Sequence, residues 1–364
     1  MRGLYIHIPF CKRICTYCDF TKRVPKNKEM IDEYLKYLKE ELFSYKKYFD
    51  SVDTIYIGGG TPTLLDLDEL KVLFDMLKDF KNIKEYTIEI NPETLTIDKV
   101  KLFKKYGLNR FSIGVESFDE NILKVLGRSH TKKDVYNAVN MLKKEGLNNI
   151  NIDLIFAAPG SNLSSIENDL KEFYKLDIKH LSYYSLILEE KTILHHLYTH
   201  NKLQLIDNEL EAKMYEFIIN DLEKNGFKQY EISNFSKEGY KSIHNLKYWD
   251  NKEYIGVGLG ASGYLDSTRY TNENLLKNYY KKYRKTEEFI DKNTKFSEEM
   301  ILGLRKIDGI NIDYVNKTYE KDILNDYKDI KKYIESKDLA IDNGYIHLTK
   351  KGLLIANDIF VIFI

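Results

Sequence analysis

Apolar and polar positions come in blocks along the first half of the chain. Short apolar runs at Leu4–Ile8, Thr54–Ile57, Tyr86–Ile90, Arg110–Val115, Asn151–Phe156 and His180–Leu188 suit strands buried on both faces. Between them, apolar residues recur at helical spacing over Met30–Phe49, Leu67–Asp79, Ile97–Tyr106, Asp134–Glu145 and Ser165–Leu176. The helix ends agree with this pattern. Asp66 and Glu69 form a capping-box pair ahead of one helix, and Gly146 and Gly226 stand where helices close on a left-handed residue. Strand–helix repetition predicts an α/β fold with a parallel sheet. Six units predict a partial (β/α)6 barrel, with a full eight-unit barrel as the competing reading.

After Leu188 the rhythm changes. Asn208–Lys224 reads as a long helix, followed by Tyr230–Phe235 and a Gly-rich stretch. Beyond Ser297, helical patterns at Glu298–Leu304 and Tyr327–Ser336 precede two strands, Leu339–Ile341 and Tyr345–Leu348. Asp342-Asn343-Gly344 joins those strands as a hairpin turn, and Lys350–Asp358 closes as a helix. The chain therefore divides into a barrel over 1–235, a connecting region over 236–296 and a small winged-helix-like α+β domain over 297–364. The terminal run Ile359–Ile364 is too short to cross a bilayer and reads as the last turn of a helix.

Composition narrows the function classes. With 43% hydrophobic and 13% aromatic residues, the chain of 364 residues can bury a large core. Its 56 basic residues balance 56 acidic ones, which argues against a general nucleic-acid coat. The same neutrality makes packing or docking at least as strong a reading of the C-terminal domain as DNA binding. The first residues already read as a strand rather than a signal peptide, so the expected compartment is the cytoplasm, where thiols stay reduced.

All three cysteines fall in Cys11-Lys-Arg-Ile-Cys15-Thr-Tyr-Cys18, directly after the first strand. A disulfide framework would spread an even set along the chain. Three thiolates on one tight loop suit an iron–sulfur cluster that keeps one iron open for an exogenous ligand. A zinc site completed by His7 is a second reading, although structural zinc sites usually draw on two distant ligand pairs. A redox CxxC is a third, and it leaves Cys11 without a role. Further along, Gly58-Gly59-Gly60-Thr61-Pro62 follows the second strand and lets backbone approach a ligand closely. No GK[ST] follows, which weakens a phosphate-loop reading. Glu89, Glu116 and Asp153 lie at corresponding levels of consecutive strands, where a carboxylate is costly unless paired or bound to a ligand.

The segment Tyr5-Ile-His-Ile-Pro-Phe-Cys11 through Cys18-Asp-Phe20 resembles the radical S-adenosylmethionine superfamily. More narrowly it is similar to the HemN/HemW branch, the oxygen-independent coproporphyrinogen oxidases and their haem-chaperone relatives. The resemblance implies a 4Fe-4S cluster on Cys11, Cys15 and Cys18. It also implies S-adenosylmethionine bound by Tyr5, Tyr17, Gly59, Gly60, Thr61, Glu89, Glu116, Arg128 and Asp153. Position 116 is usually Gln in that family, and Arg128 is expected to grip the cofactor carboxylate as a fork.

Two departures separate the oxidases from the chaperones. The oxidases carry a further Cys where this chain has Phe20, and a long extension before the first strand. His244-Asn245-Leu-Lys-Tyr248-Trp249 matches the HNxxYW signature of the HemW-like group. On the residues alone, His244 is the simpler as a core histidine among aromatics. The resemblance implies instead that it binds haem. His195, His196 and His200 are expected at the surface. The resulting expectation is a haem chaperone that carries haem to respiratory proteins and lacks coproporphyrinogen oxidase activity. It binds no nucleic acid, meets membranes at most peripherally and is compatible with a homodimer. A radical enzyme acting on coproporphyrinogen III through a 5′-deoxyadenosyl radical is the alternative.

Overall fold

The computed structural model describes residues 1–364. Its centre is a run of parallel strands hydrogen-bonded in chain order. These are β1 (Arg2–Ile8), β2 (Val52–Gly59), β3 (Glu85–Ile90), β4 (Arg110–Glu116), β5 (Ile150–Phe156) and β6 (His180–Ser185). The connections carry α1 (Lys28–Ser44), α2 (Leu67–Asp75), α3 (Ile97–Lys105), α4 (Glu120–Leu126), α5 (Lys132–Lys144) and α6 (Leu163–Lys175). This is the large parallel sheet of a partial barrel. Helix ends follow local chemistry: Asp66 and Glu69 complete a capping box on α2, and Gly146 and Gly226 take positive φ just past their helices.

The strands alternate more strictly than their sequences suggest. Leu4, Ile6, Ile55, Ile57, Ile88, Phe111, Ile113, Ile152, Leu154 and Leu181 belong to one continuous buried cluster. The positions between them carry Tyr5, His7, Tyr56, Glu89, Ser112, Asp153 and Ser182, and cross-strand register places Tyr5 beside Tyr56, Glu89 beside Ser112 and Asp153 beside Ser182. One face of each strand therefore packs in the core, and the other lines a polar interior.

The sheet extends beyond the six strands on both sides. β7 (Lys228–Glu231) and β8 (Asn234–Ser236) add next to β6, with β8 antiparallel to it. On the other side β9 (Tyr254–Val257) runs parallel to β1, followed by antiparallel β10 (Ser262–Leu265), β11 (Thr268–Asn272) and β12 (Arg284–Phe289), giving a 12-stranded sheet. Residues 236–296 thus contribute four strands to the main sheet. α7 (Ile193–Thr199), α8 (Asn208–Lys224) and α9 (Ile243–Trp249) lie in the intervening segments. Three elements are shorter than expected: α1 gives way to a 3-10 turn over Lys46–Ser51, α2 ends at Asp75, and β6 stops at Ser185.

At the C-terminus, a helix over Lys292–Gly303 leads into short helices and a three-stranded sheet. Its strand order is Ile310–Asn311, Tyr345–Leu348, Leu339–Asp342. Asn343 and Gly344 both take positive φ, as a tight hairpin requires. The last apolar run is a helix over Ala356–Phe360 and a 3-10 turn, with Phe363 buried against Phe296 and Tyr327. No helix is long and apolar enough to cross a membrane.

Candidate functional site

The loop that follows β1 is fastened at several points. Cys11 N–H donates to Arg23 O (2.9 Å) and Arg23 N–H to Pro9 O (2.7 Å), which closes the loop on itself. Thr16 ties it to the end of α4, its amide reaching Leu126 O (3.1 Å) and its hydroxyl Val125 O (2.7 Å). Leu194 of α7 donates to Thr16 O from the other side (2.9 Å). Cys11, Cys15 and Cys18 all line one cavity of about 530 Å³ at the C-terminal ends of the parallel strands.

His7 does not serve as a fourth ligand. Its Nε2–H donates to Thr21 O (2.7 Å), so Nδ1 accepts from the Tyr5 hydroxyl (2.9 Å). Burial holds its pKa down to about 4, so the ring stays neutral. With both nitrogens used, the three-cysteine-plus-His7 zinc reading fails on hydrogen bonding. No three His, Cys, Asp or Glu side chains are grouped to chelate a single ion.

The glycines after β2 stand where side chains would collide. A Cβ at Gly58 would meet the Glu89 carboxylate at 2.8 Å, and one at Gly60 would meet Phe10 O at 2.8 Å and Cys11 Sγ at 2.9 Å. Gly60 N–H donates to Ile8 O and Thr61 N–H to Phe10 O, both at 2.8 Å, which seats this turn beneath the cysteine loop. Glu89 receives Gly59 N–H and the Tyr56 hydroxyl, each at 2.9 Å. Burial, reinforced by the nearby Asp153 and Glu116 charges, pushes the Glu89 carboxyl up to about 7.

Glu116 and Asp153 face the same interior. Glu116 closes β4 with φ of +63°, a left-handed conformation unusual for a residue with a Cβ. Burial lifts its carboxyl to about 7 despite Arg128, whose Nη1 lies 3.8 Å from Oε1. Asp153 accepts from Ser112 Oγ (2.8 Å) and Asn151 Nδ2 (2.9 Å), and burial raises its pKa as well. Arg128 spans the cavity wall: it donates to Gly114 O and to Asn91 Oδ1 (3.4 Å), and Nη1 lies 3.8 Å from Cys15 Sγ. Its buried Nε has no partner in the protein. Tyr17 also lines this cavity and, with Leu186, packs on Ile122, Leu126 and Ile155.

Cys11, Cys15, Cys18, Tyr17, Gly59, Gly60, Thr61, Glu89, Glu116, Arg128 and Asp153 all line the cavity. Tyr5, expected among them, does not line it: its hydroxyl is engaged by His7, and its ring leans on that of Tyr56, which does. The structure adds Tyr56, Asn91, Ser112 and Tyr184 to the lining. Of these, Asn91 carries a sequence signal, because it stands between the last residue of β3 and Pro92, where an active-site turn belongs.

His244 lies elsewhere. It is 1% exposed, with Nδ1 hydrogen-bonded to Thr54 Oγ1 and Nε2 to the Tyr248 hydroxyl, both at 2.9 Å. Burial lowers its pKa to about 3. Around it, α9 is built into the start of the strands: Glu85 accepts the amides of Ile243 (2.9 Å) and His244 (2.8 Å), and Lys247 pairs with Asp53 at 2.6 Å. Trp249 lies under the guanidinium of Arg305, at the joint with the C-terminal domain. The expectation that His244 offers an imidazole to haem is corrected on this geometry, since neither nitrogen is free and no porphyrin face is open beside it. The simpler reading, a core histidine, describes what is observed. His196 and His200 are exposed and His195 half-buried.

Comparison with known proteins places the chain in a family. The Radical SAM superfamily model matches residues 5–173 and the HemN C-terminal domain model matches 290–355. The "Heme chaperone HemW" of Lactococcus lactis subsp. lactis is 40% identical, over 98% of this chain and 95% of that protein. The "Heme chaperone HemW" of Bacillus subtilis is 38% identical, over 100% and 99% respectively. The chain belongs to the HemW family of radical SAM proteins. Its fold is shared with coproporphyrinogen III oxidase (HemN) from Escherichia coli, at a TM-score of 0.85 over 99% of this chain and 89% of that one. Identity to that oxidase is 21%, so the likeness extends to fold alone.

The residues present fit the cofactors that the family implies. Three separate thiols on one fixed loop suit a cluster that takes one thiolate per iron. The bare backbone of Gly58–Gly60 lets Glu89, His7 and the cysteine loop close tightly around the turn, and Gly59 and Gly60 line the cavity. Buried Glu116, half-buried Glu89 and Asp153, and one guanidinium with an unpartnered Nε suit a ligand that carries both cationic and carboxylate groups.

Proposed function

We propose that this chain is a haem chaperone of the HemW type. It holds a 4Fe-4S cluster on Cys11, Cys15 and Cys18, binds S-adenosylmethionine in the adjoining cavity, and delivers haem to respiratory enzymes from the cytoplasm. The observation that carries this reading is identity of 38–40% along essentially the whole chain to proteins named as heme chaperones. The charge inventory of the cavity supports the cofactor assignment. Glu89, Glu116 and Asp153 outnumber Arg128, so a ligand with an ammonium and a sulfonium relieves their mutual repulsion. Arg128 Nε, buried without a partner, is the natural donor to the ligand's carboxylate.

Within this reading the chain's own groups bind and orient. Glu89 receives the cofactor's ammonium while fixed by Tyr56 and Gly59. Asp153, held by Ser112 and Asn151, is placed to accept ribose hydroxyls. The cluster supplies the coordination site and electron that this cofactor requires.

The test is anaerobic reconstitution of the full chain with iron and sulfide, followed by hemin titration and by transfer of bound haem to an apo-haem protein. Saturable haem binding and transfer, with no conversion of coproporphyrinogen III, is the expected result. Sustained turnover to protoporphyrinogen overturns the chaperone reading in favour of the oxidase. A Cys15→Ser variant that still assembles a normal four-iron centre refutes the ligand assignment.

A further inference from the structure

The mouth of the cysteine-lined cavity is unusually apolar for a surface in contact with water. Phe20 is 63% exposed, Ile187 69%, Ile14 43% and Tyr184 38%, and all four line that one cavity. They arrive from two distant parts of the chain. Ile14 and Phe20 belong to the cysteine loop, and Tyr184 and Ile187 belong to the end of β6 and the segment after it. Single exposed apolar side chains are ordinary, but four converging on one concave mouth mark a binding face.

Charge on the same rim restricts the ligand. Lys12 and Arg13 precede Ile14 in the loop and Lys22 follows Phe20; all three line the mouth. Lys22 donates to Cys18 O, which leaves Lys12 and Arg13 as exposed cations beside the apolar patch. Asp19, Glu93 and Glu189 are the acids of the rim. A ligand matched to this surface is flat and apolar over most of its area and anionic at one edge. No histidine lines the mouth.

We propose that a metalloporphyrin docks across this mouth. Its macrocycle lies on Ile14, Phe20, Tyr184 and Ile187, and its propionates meet Lys12 and Arg13. The inference rests on the haem-carrier reading above and moves the haem site from α9 to the rim over the cysteine loop. The contact is made by the ring and its carboxylates, so the iron is dispensable. A porphyrin held this way covers the cavity without entering the space beside the thiols, and its outer face stays accessible to a recipient protein.

The experiment uses the full chain with its cluster reconstituted. Hemin is titrated into wild type, Phe20→Ser/Ile187→Ser, Lys12→Glu/Arg13→Glu and His244→Gln, with iron content measured for each. The expected result is at least tenfold weaker binding in the apolar double variant. The charge variant should bind several-fold more weakly, with a smaller salt dependence, while His244→Gln keeps wild-type affinity. Iron-free protoporphyrin IX and its zinc form compete with hemin for the same site. The four substituted rim side chains are exposed, so folding and iron content should be retained. Wild-type affinity in both rim variants overturns the site and leaves the carrier reading standing, as does loss of binding confined to His244→Gln. Absence of saturable hemin binding by the wild type overturns both.

Discussion

The Nε2 atom of His244 lies 2.9 Å from the hydroxyl of Tyr248, one helical turn further along α9, while Nδ1 is engaged by Thr54 at the same distance. This ring bridges a helix and a barrel strand. His244→Ala would orphan two hydroxyls and open a cavity, so it should cost about 2–4 kcal/mol of stability. Urea denaturation checks the value. A variant that unfolds no more easily than wild type would contradict the bridging role.

Proton linkage offers a sharper test of the same residue. Burial holds His7 and His130 near pKa 4, His244 near 3, and His180 well below its usual range. Each therefore contributes stability above pH 6.5 that is lost as pH falls toward its folded pKa. Burial lifts Glu41, Glu89, Glu116 and Asp169 to about 7. Their contribution has the opposite sign: it is present at low pH and lost as pH rises through about 7. Between about pH 5 and 6 the two sets therefore oppose each other. His244→Gln removes one imidazole, so on acidification its stability should rise relative to wild type by up to ~1.4 kcal/mol per pH unit. Urea midpoints across this range decide the matter.

Glu89 can receive a cation only when ionised. With its carboxyl near 7, affinity for S-adenosylmethionine should fall below pH 7, approaching tenfold per pH unit. The groups facing it are the Tyr56 hydroxyl, the Gly59 amide and the charges of Asp153 and Glu116. Glu89→Gln should bind about 10- to 100-fold more weakly at pH 8, the loss of a charge-assisted contact, and show a shallower pH dependence, the remainder carried by Glu116. Isothermal titration at pH 6, 7 and 8 provides both readouts.

Asp169 sits behind the site without lining it. It accepts from Phe118 N–H (2.7 Å) and from the Ser117 hydroxyl (3.0 Å), immediately after the left-handed Glu116. Asp169→Ala should release that turn, cost about 2–4 kcal/mol through unsatisfied buried donors, and weaken cofactor binding. Glu116→Gly should cost less stability, because glycine adopts positive φ without a Cβ penalty, although it removes a carboxylate from the cavity. Binding in Asp169→Ala equal to wild type would show that the turn needs no such support.

Gly60→Ala probes the seat of the cysteine loop. The added methyl would press on Phe10 O and Cys11 Sγ, so the loop must shift. Iron content after reconstitution should drop, and stability should fall by about 1–3 kcal/mol. Gly107→Ala, where a Cβ would meet no atom within 4 Å but φ is +77°, strains the backbone far from the cysteine loop and should retain its iron.

The six parallel strands were legible because each is anchored by Ile, Leu or Val on its packed face. Their polar inner face was harder to see, since Tyr5, Tyr56, Thr87 and Ser112 blur the alternation that the fold imposes. β9, β10, β11 and β12 were missed for the same kind of reason. They are short, and β12 is exposed along nearly its whole length, so no apolar run marks it. The cysteines and the strand carboxylates stand out in the sequence, and Asn91 carries a weaker signal ahead of Pro92. Tyr56 carries none, because its place in the cavity comes from neighbours on other strands. His244 shows the limit most clearly: HNxxYW looks the same whether its imidazole is open to a ligand or closed between two hydroxyls.

Thr16 holds the cysteine loop to α4, and Leu194 holds it to α7, through bonds that the polypeptide makes by itself. The fold thus tethers the loop through bonds that do not involve the thiols. If the proposed cluster is held on this loop, its loss would leave the ligands in position, and the centre could be rebuilt without synthesis of a new chain.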